Sequence, residues 1–314
     1  MRRLSALLLA ASALLYAAPG TAHAADNGEW SVEPASSGTG RPYFYLSTGP
    51  GTTLTDRVTV TNKTARPMTF RLYAADAYNT ERDGGFAVRT QDEPRRGVGA
   101  WVKPARDRVT VPAHSSVTVP YTLTVPETAE PGDHPGALVA LDERVARAGR
   151  GAVAVGVRKA VGARVYLRVN GPAMPALTVD DLSVEQTRPL VPGTGKSRAV
   201  ISYTLHNRGN VTLNPRVALK AEGLFGRTLL DRELKKIPGE LLPRQKVRLT
   251  EFWAGAPQLE WGQVRLTASA RDTRETAAVS YVALPWLFAA ALLLIVGAGS
   301  GLWIRARRRR PRPS

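Results

Sequence analysis

The chain has 314 residues, a formal net charge of +17 and no cysteine. The missing thiols exclude disulfides, cysteine nucleophiles, Cys-ligated zinc and iron–sulfur clusters, so stability must come from packed cores. The charge is uneven: six arginines lie in the last ten residues and two in the first three, which leaves +9 for residues 25–281.

Residues 1–24, "MRRLSALLLAASALLYAAPGTAHA", read as a secretory signal peptide. Arg2 and Arg3 precede a short apolar run, and Ala22-His23-Ala24 supplies small residues for cleavage. An exported region of this length has room for two domains of ordinary size.

From residue 25 the dominant signal has period two. "VTVPYTLTV" sets Val117, Val119, Tyr121, Leu123 and Val125 on one face and mostly threonines on the other. The alternation recurs at Val58/Val60, Val165/Leu167/Val169, Ile201/Tyr203/Leu205 and Val264/Leu266/Ala268. Such strands rest one face on a core and leave the other in water. "STGPGTT", "NKTARP", "ERDGG", "VPGTGKS" and "NRGN" supply the turns between them.

The stretch "EPGDHPGALVAL" places Asp133 beside His134 inside a bracket of prolines and glycines. The composition predicts a tight turn in which Asp133 covers nearby backbone N–H groups, with a ligand contact through Asp133 and His134 as the alternative.

The pattern then starts again. "RVTVTNKTARPMTF" and "VISYTLHNRGNVTLNP" share a layout of strand, Asn-led turn, proline and strand. Gly171, Pro172 and Pro175 interrupt the alternation between the two copies. The predicted fold is all-β: two tandem immunoglobulin-like β-sandwich domains, 25–171 and 172–281, followed by one transmembrane helix.

Residues 282–304, "VALPWLFAAALLLIVGAGSGLWI", carry no charge. As a helix they would reach about 34 Å, against a hydrocarbon core of about 30 Å. Tyr281, Trp286 and Trp303 stand near the ends as interface rings. Residues 305–314, "RARRRRPRPS", form a basic tail whose position directly after a span marks the cytoplasmic side and argues against nucleic acid.

Chemistry-bearing motifs are sparse. His114, His134 and His206 stand alone, with no HxH, HxxxH or HExxH spacing, so no metal site is predicted. "PGTGKS" (Pro192–Ser197) imitates a phosphate loop, but Leu190 stands where the first glycine belongs and a strand pattern follows. No G-x-S-x-G or S-x-x-K is present. Asp142-Glu143 and Asp180-Asp181 are strand neighbours, which point to opposite faces. The sequons at Asn62 and Asn210 fall in turns where Asn is favoured anyway. No catalytic residue, metal ligand or cofactor site is predicted, and the expected class is a non-enzyme.

"FYLSTGPGTTLTDRVTVTNKT", "VPYTLTVPETAEPGDHPGALVAL" and a C-terminal apolar segment with a basic tail together resemble the WxL-interacting protein family. The likeness covers about Tyr43–Gly171 and resides in the opening strand and the "VPxxAxPGDHxG" segment. It implies an N-terminal domain associated with peptidoglycan, a second domain engaging a surface partner, and a membrane tether. The combined expectation is a single-pass cell-surface protein, N-terminus outside. It would bind cell-wall peptidoglycan, anionic wall polymers or a surface protein, and lipid through its helix. An accessory subunit of a membrane or wall complex is the alternative, favoured by the G-x-x-x-G spacing of Gly297 and Gly301. A wall-polymer hydrolase ranks below both.

Overall fold

The structure, a computed structural model, describes residues 26–35, 40–148, 155–189, 191, 194–283 and 286–308. The expected signal peptide, residues 1–24, and tail residues 309–314 lie outside the described residues.

The first half begins with β1 (Trp30–Pro34), β2 (Phe44–Thr48), β3 (Thr53–Asn62), β4 (Met68–Asn79) and β5 (Phe86–Val88). A four-residue helix, α1 (Val98–Trp101), leads into β6 (Val102–Pro104), β7 (Arg108–Val111) and β8 (Ser115–Thr124). Then come β9 (Gly132–Asp142), a ribbon of β10 (Ala146–Ala148) and β11 (Val155–Val157), and β12 (Ala160–Val169). One sheet has the order β1-β3-β8-β6, and the facing sheet β2-β12-β9-β4-β5 with β7 also on β4.

The period-two pattern builds this first sandwich. Val58, Val60, Val119, Tyr121, Leu123, Val125, Val165, Leu167 and Val169 are all buried in one core with Trp30, Phe44 and Phe70. The outward threonines pair across strands, Thr59 with Thr118 at 3.0 Å and Thr61 with Ser116 at 2.8 Å. Most pairing is antiparallel, but β2 runs parallel to β12.

The second half contains β13 (Leu177–Thr187), β14 (Arg198–Asn207), β15 (Arg216–Glu222), β16 (Thr228–Glu233), β17 (Lys246–Ala254), β18 (Glu260–Ala270) and β19 (Thr273–Ala283). Sheets β13-β14-β17 and β16-β15-β18-β19 enclose a second core, which includes Ile201, Tyr203, Leu205, Val264, Leu266 and Ala268. The protein is therefore all-β, two packed-sheet units in tandem, and the interrupted stretch around Gly171 and Pro175 separates β12 from β13.

Both halves use one buried asparagine after an early strand. The Asn62 amide donates to the carbonyls of Arg66, Val111 and Pro112, and its Oδ1 accepts from Thr64 N–H. Asn207 repeats the device, donating to Val211 and Leu241 carbonyls and accepting from Gly209 N–H. The shared "Asn-led turn" is thus a loop folded around a buried amide.

Two expectations change at the C-terminal end. Val282 and Ala283 belong to β19, and the helix, α2, spans Trp286–Arg308. Tyr281 is no interface ring: it is buried against Trp253, ring centroids 5.9 Å apart, because it occupies an inward position of β19. The side chains described in α2 are those of residues 290, 291 and 293–305. Among the described residues no helix is long and apolar enough to cross a membrane.

Candidate functional site

On β12 the buried Val165, Leu167 and Val169 alternate with Arg164, Tyr166 and Arg168 on the outer face. Register then fixes the neighbours. Tyr166 lies between Tyr45 of β2 and Pro135 of β9, and Arg168 lies between Ser47 and Asp133. The rings of Tyr45 and Tyr166 stack, with centroids 5.3 Å apart and planes 11° from parallel. Tyr43 meets Tyr166 edge-on at 5.7 Å, and the Arg164 guanidinium lies 4.2 Å over the Phe86 ring. Tyr43 also meets Tyr45 edge-on at 6.1 Å, and Tyr45 stays 64% exposed.

The second sandwich walls this platform. The Tyr166 hydroxyl donates to the Glu240 carboxylate at 2.9 Å, and Arg164 approaches the same carboxylate at 3.7 Å. Between platform and wall lies a cavity of about 320 Å³, lined by Tyr45, Ser47, Pro135, Tyr166, Arg168 and Thr212 among others. Burial pushes the Tyr166 phenol up to about 12, opposed by the hydrogen bond from Arg164 and reinforced by Glu240. The Tyr45 phenol is raised as well, chiefly by burial. Both phenols therefore stay neutral donors well above neutral pH.

Asp133 joins the two sandwiches. Its Oδ2 accepts the Thr212 N–H at 2.7 Å, its Oδ1 accepts Arg168 Nε at 2.7 Å, and its own N–H donates to the Asn210 carbonyl at 2.8 Å. The expected turn at "PGDHPG" is instead the start of β9, because Pro135 and Gly136 keep pairing with β12. Gly132 takes φ +127° there, and a Cβ on it would meet the Asn210 carbonyl oxygen at 2.2 Å. The permissive residue serves close approach of another domain, not chain reversal.

His134 points to the other face of β9, 4.7 Å from the Trp101 ring, with Nε2 2.8 Å from the Glu130 carbonyl. It borders a separate polar cavity of about 300 Å³ with Asp76, Arg96, Glu130 and Arg244. Asp133 touches both cavities, so the candidate pair shares the polar one, and only Asp133 reaches the tyrosine cleft.

The remaining motifs settle locally. Asn210 of the second sequon donates to the Pro131 and Pro172 carbonyls, so both sequon amides are engaged in structure. Asp180 and Asp181 break the opposite-faces expectation: a bulge between Asp180 and Ser183 turns both toward β14, Asp180 to His206 and Asp181 to Thr204, each at 3.4 Å. After "PGTGKS" the chain enters β14, and the Gly195 carbonyl accepts from Gln258. Among the described residues no group of three or more His, Asp or Glu is placed to hold a metal ion. The geometry offers recognition: a stacked aromatic floor with charged and hydroxyl groups at its edge. Sequence reasoning missed Tyr45 and Tyr166, whose one signal is large rings on outward positions of alternating strands.

No protein-family model matches the chain, and no curated protein matches it. Three solved structures are similar over most of their length. A chain from the chaperone–tip adhesin complex of CFA/I fimbriae biogenesis is 10% identical, with 82% of this chain and 99% of that one covered and a TM-score of 0.36. A chain of the CsuC–CsuE chaperone–tip adhesion subunit pre-assembly complex from Csu pili of Acinetobacter baumannii is 11% identical, covering 75% and 94% at a TM-score of 0.35. The class 5 fimbriae chaperone CfaA is 10% identical, covering 77% and 96% at a TM-score of 0.33. Identities of this size bear on fold alone, and TM-scores below 0.5 carry nothing further.

Proposed function

We propose that this protein is a non-enzymatic, membrane-anchored cell-surface protein that binds cell-wall peptidoglycan or a wall-associated partner through the cleft between its two sandwiches. One observation supports the cleft as the ligand site: the exposed ring of Tyr45, stacked on Tyr166, floors a cavity edged by Ser47, Arg168 and Thr212. An exposed, pre-positioned ring offers an apolar face for a sugar ring or peptide side chain at little entropic cost. The edge groups supply the few polar contacts that fix orientation.

Export and anchoring are proposed on sequence: the apolar leader at residues 1–24, the uncharged stretch 282–304, and six arginines after it. The resemblance of Tyr43–Gly171 to the N-terminal domain of WxL-interacting proteins points to the wall as the ligand's source, and the +9 of residues 25–281 favours anionic polymers there.

The test is co-sedimentation of the purified protein with isolated sacculi, with and without their anionic polymers, across a salt titration. Salt-resistant binding that drops about tenfold in Tyr45→Ala, a loss of about 1.4 kcal/mol, is the expected result. Binding that vanishes with the polymers or with salt would reduce the interaction to charge. Failure to bind sacculi or any surface protein would overturn the proposal.

A further inference from the structure

The two ends of the second sandwich differ. One end carries Asn210, Thr212 and Leu241 and meets the first sandwich. The opposite end gathers the tip between β15 and β16, the start of β18 and the end of β19, where the chain leaves for α2. Phe225 at that tip is fully exposed. It also holds φ +56°, a left-handed conformation disfavoured for a bulky residue. Water rewards neither feature.

Phe225 has apolar company. Trp261 and Val282 are cross-strand partners and are 63% and 61% exposed. With Gly226 they line one shallow concavity of about 410 Å³. The described residues around it, 186–189, 194–198, 222–227, 254–262 and 280–283, hold Arg188, Lys196, Arg198 and Arg227 against two acids, Glu222 and Glu260. Glu260 is buried and ion-paired to Arg227 at 2.6 Å, and the half-buried Glu222 pairs with Lys220 at 2.7 Å, so both carboxylates are matched by a cation. The Arg188 guanidinium donates to the Val282 carbonyl, which ties the basic loop to the apolar strand end.

Resting on the anchoring proposed above, we infer that this end is a lipid-contacting surface: Phe225, Trp261 and Val282 enter the interface of an anionic bilayer while the basic residues meet its headgroups. Three features select lipid over a protein partner. The patch ends three residues before α2, its charge is predominantly positive, and its two rings, Phe225 and Trp261, are of the types that settle at membrane interfaces. The helix would then tether the protein and the patch would fix its tilt, holding the tyrosine cleft away from the membrane.

The absence of cysteine makes the test direct. Full-length protein carrying Phe225→Cys, Trp261→Cys or Asp272→Cys is labelled with an environment-sensitive fluorophore. Each variant is reconstituted into phosphatidylglycerol–phosphatidylcholine vesicles containing doxyl-labelled lipid. Asp272 sits in the turn at the far end of β18 and β19, about 35 Å away over 11 residues of strand. Labels at 225 and 261 should shift to the blue and be quenched about threefold more than the label at 272, as for groups about 5–10 Å into the boundary. Labels at 225 and 261 as water-exposed as at 272, on protein that stays with the vesicles through a carbonate wash, would overturn this inference alone. Protein that washes off the vesicles would overturn the anchoring, and this inference with it.

Discussion

At the scale of single residues, the molecule depends on buried polar side chains that each close several loose ends. Asn207 is fully buried and serves two carbonyls and one N–H. Asn207→Ala would strand those groups in the core, and a loss of about 2–3 kcal/mol is expected in denaturant titrations. Glu260 works by charge: the Leu224 N–H and then the Arg227 guanidinium hold its carboxyl below the usual range. A depressed folded value means stability that is present above the ordinary value of 4.5 and is lost as pH falls through the lower folded value. The gap in melting temperature between wild type and Glu260→Gln should therefore be widest near neutrality and close in acid. A gap that stays constant as the pH falls through the carboxylate range would refute the assignment. Residue roles of this kind were half legible. The Asn-led repeat showed in sequence, whereas Gly132 read as turn chemistry because its partner, Asn210, lies in the other sandwich.

At the scale of elements, period two was nearly sufficient to place the strands, since one face of each must be buried and a slip by one residue exposes it. It could not show that β2 pairs in parallel with β12, nor that a bulge follows Asp180, because both depend on partners remote in sequence. The candidate cleft was illegible for the same reason: it exists only where β2, β9, β12 and the Thr212 loop converge. The seam between the sandwiches invites a direct test. Gly132→Ala puts a methyl group against the Asn210 carbonyl at a left-handed φ. The expected outcome is retained β-sheet circular dichroism with a larger radius of gyration by small-angle scattering, since each core is complete without the seam. Unchanged dimensions would show that the seam tolerates the methyl.

At the scale of the whole molecule, the tyrosine cleft and the apolar end flank the second sandwich at opposite ends. Together the two proposals turn a wall-binding face outward and a lipid-facing base inward. A chain truncated after Ala283 is expected to leave the membrane fraction for the medium and still sediment with sacculi. Retention in the membrane fraction would assign the tether elsewhere, and loss of sedimentation would assign α2 a part in wall contact.

The parallel pairing of β2 with β12 also sets an order in time. Tyr45 must wait for Tyr166, 121 residues further along the chain, before the stack can form. Antiparallel neighbours such as β18 and β19 close through a short turn, but this contact closes a very long loop and belongs among the slow steps of folding. The cleft floor is then among the last parts to assemble. A chain that has emerged only as far as β9 has no cleft, so recognition at this site would be confined to molecules in which the first sandwich is finished and the Thr212 loop is in place.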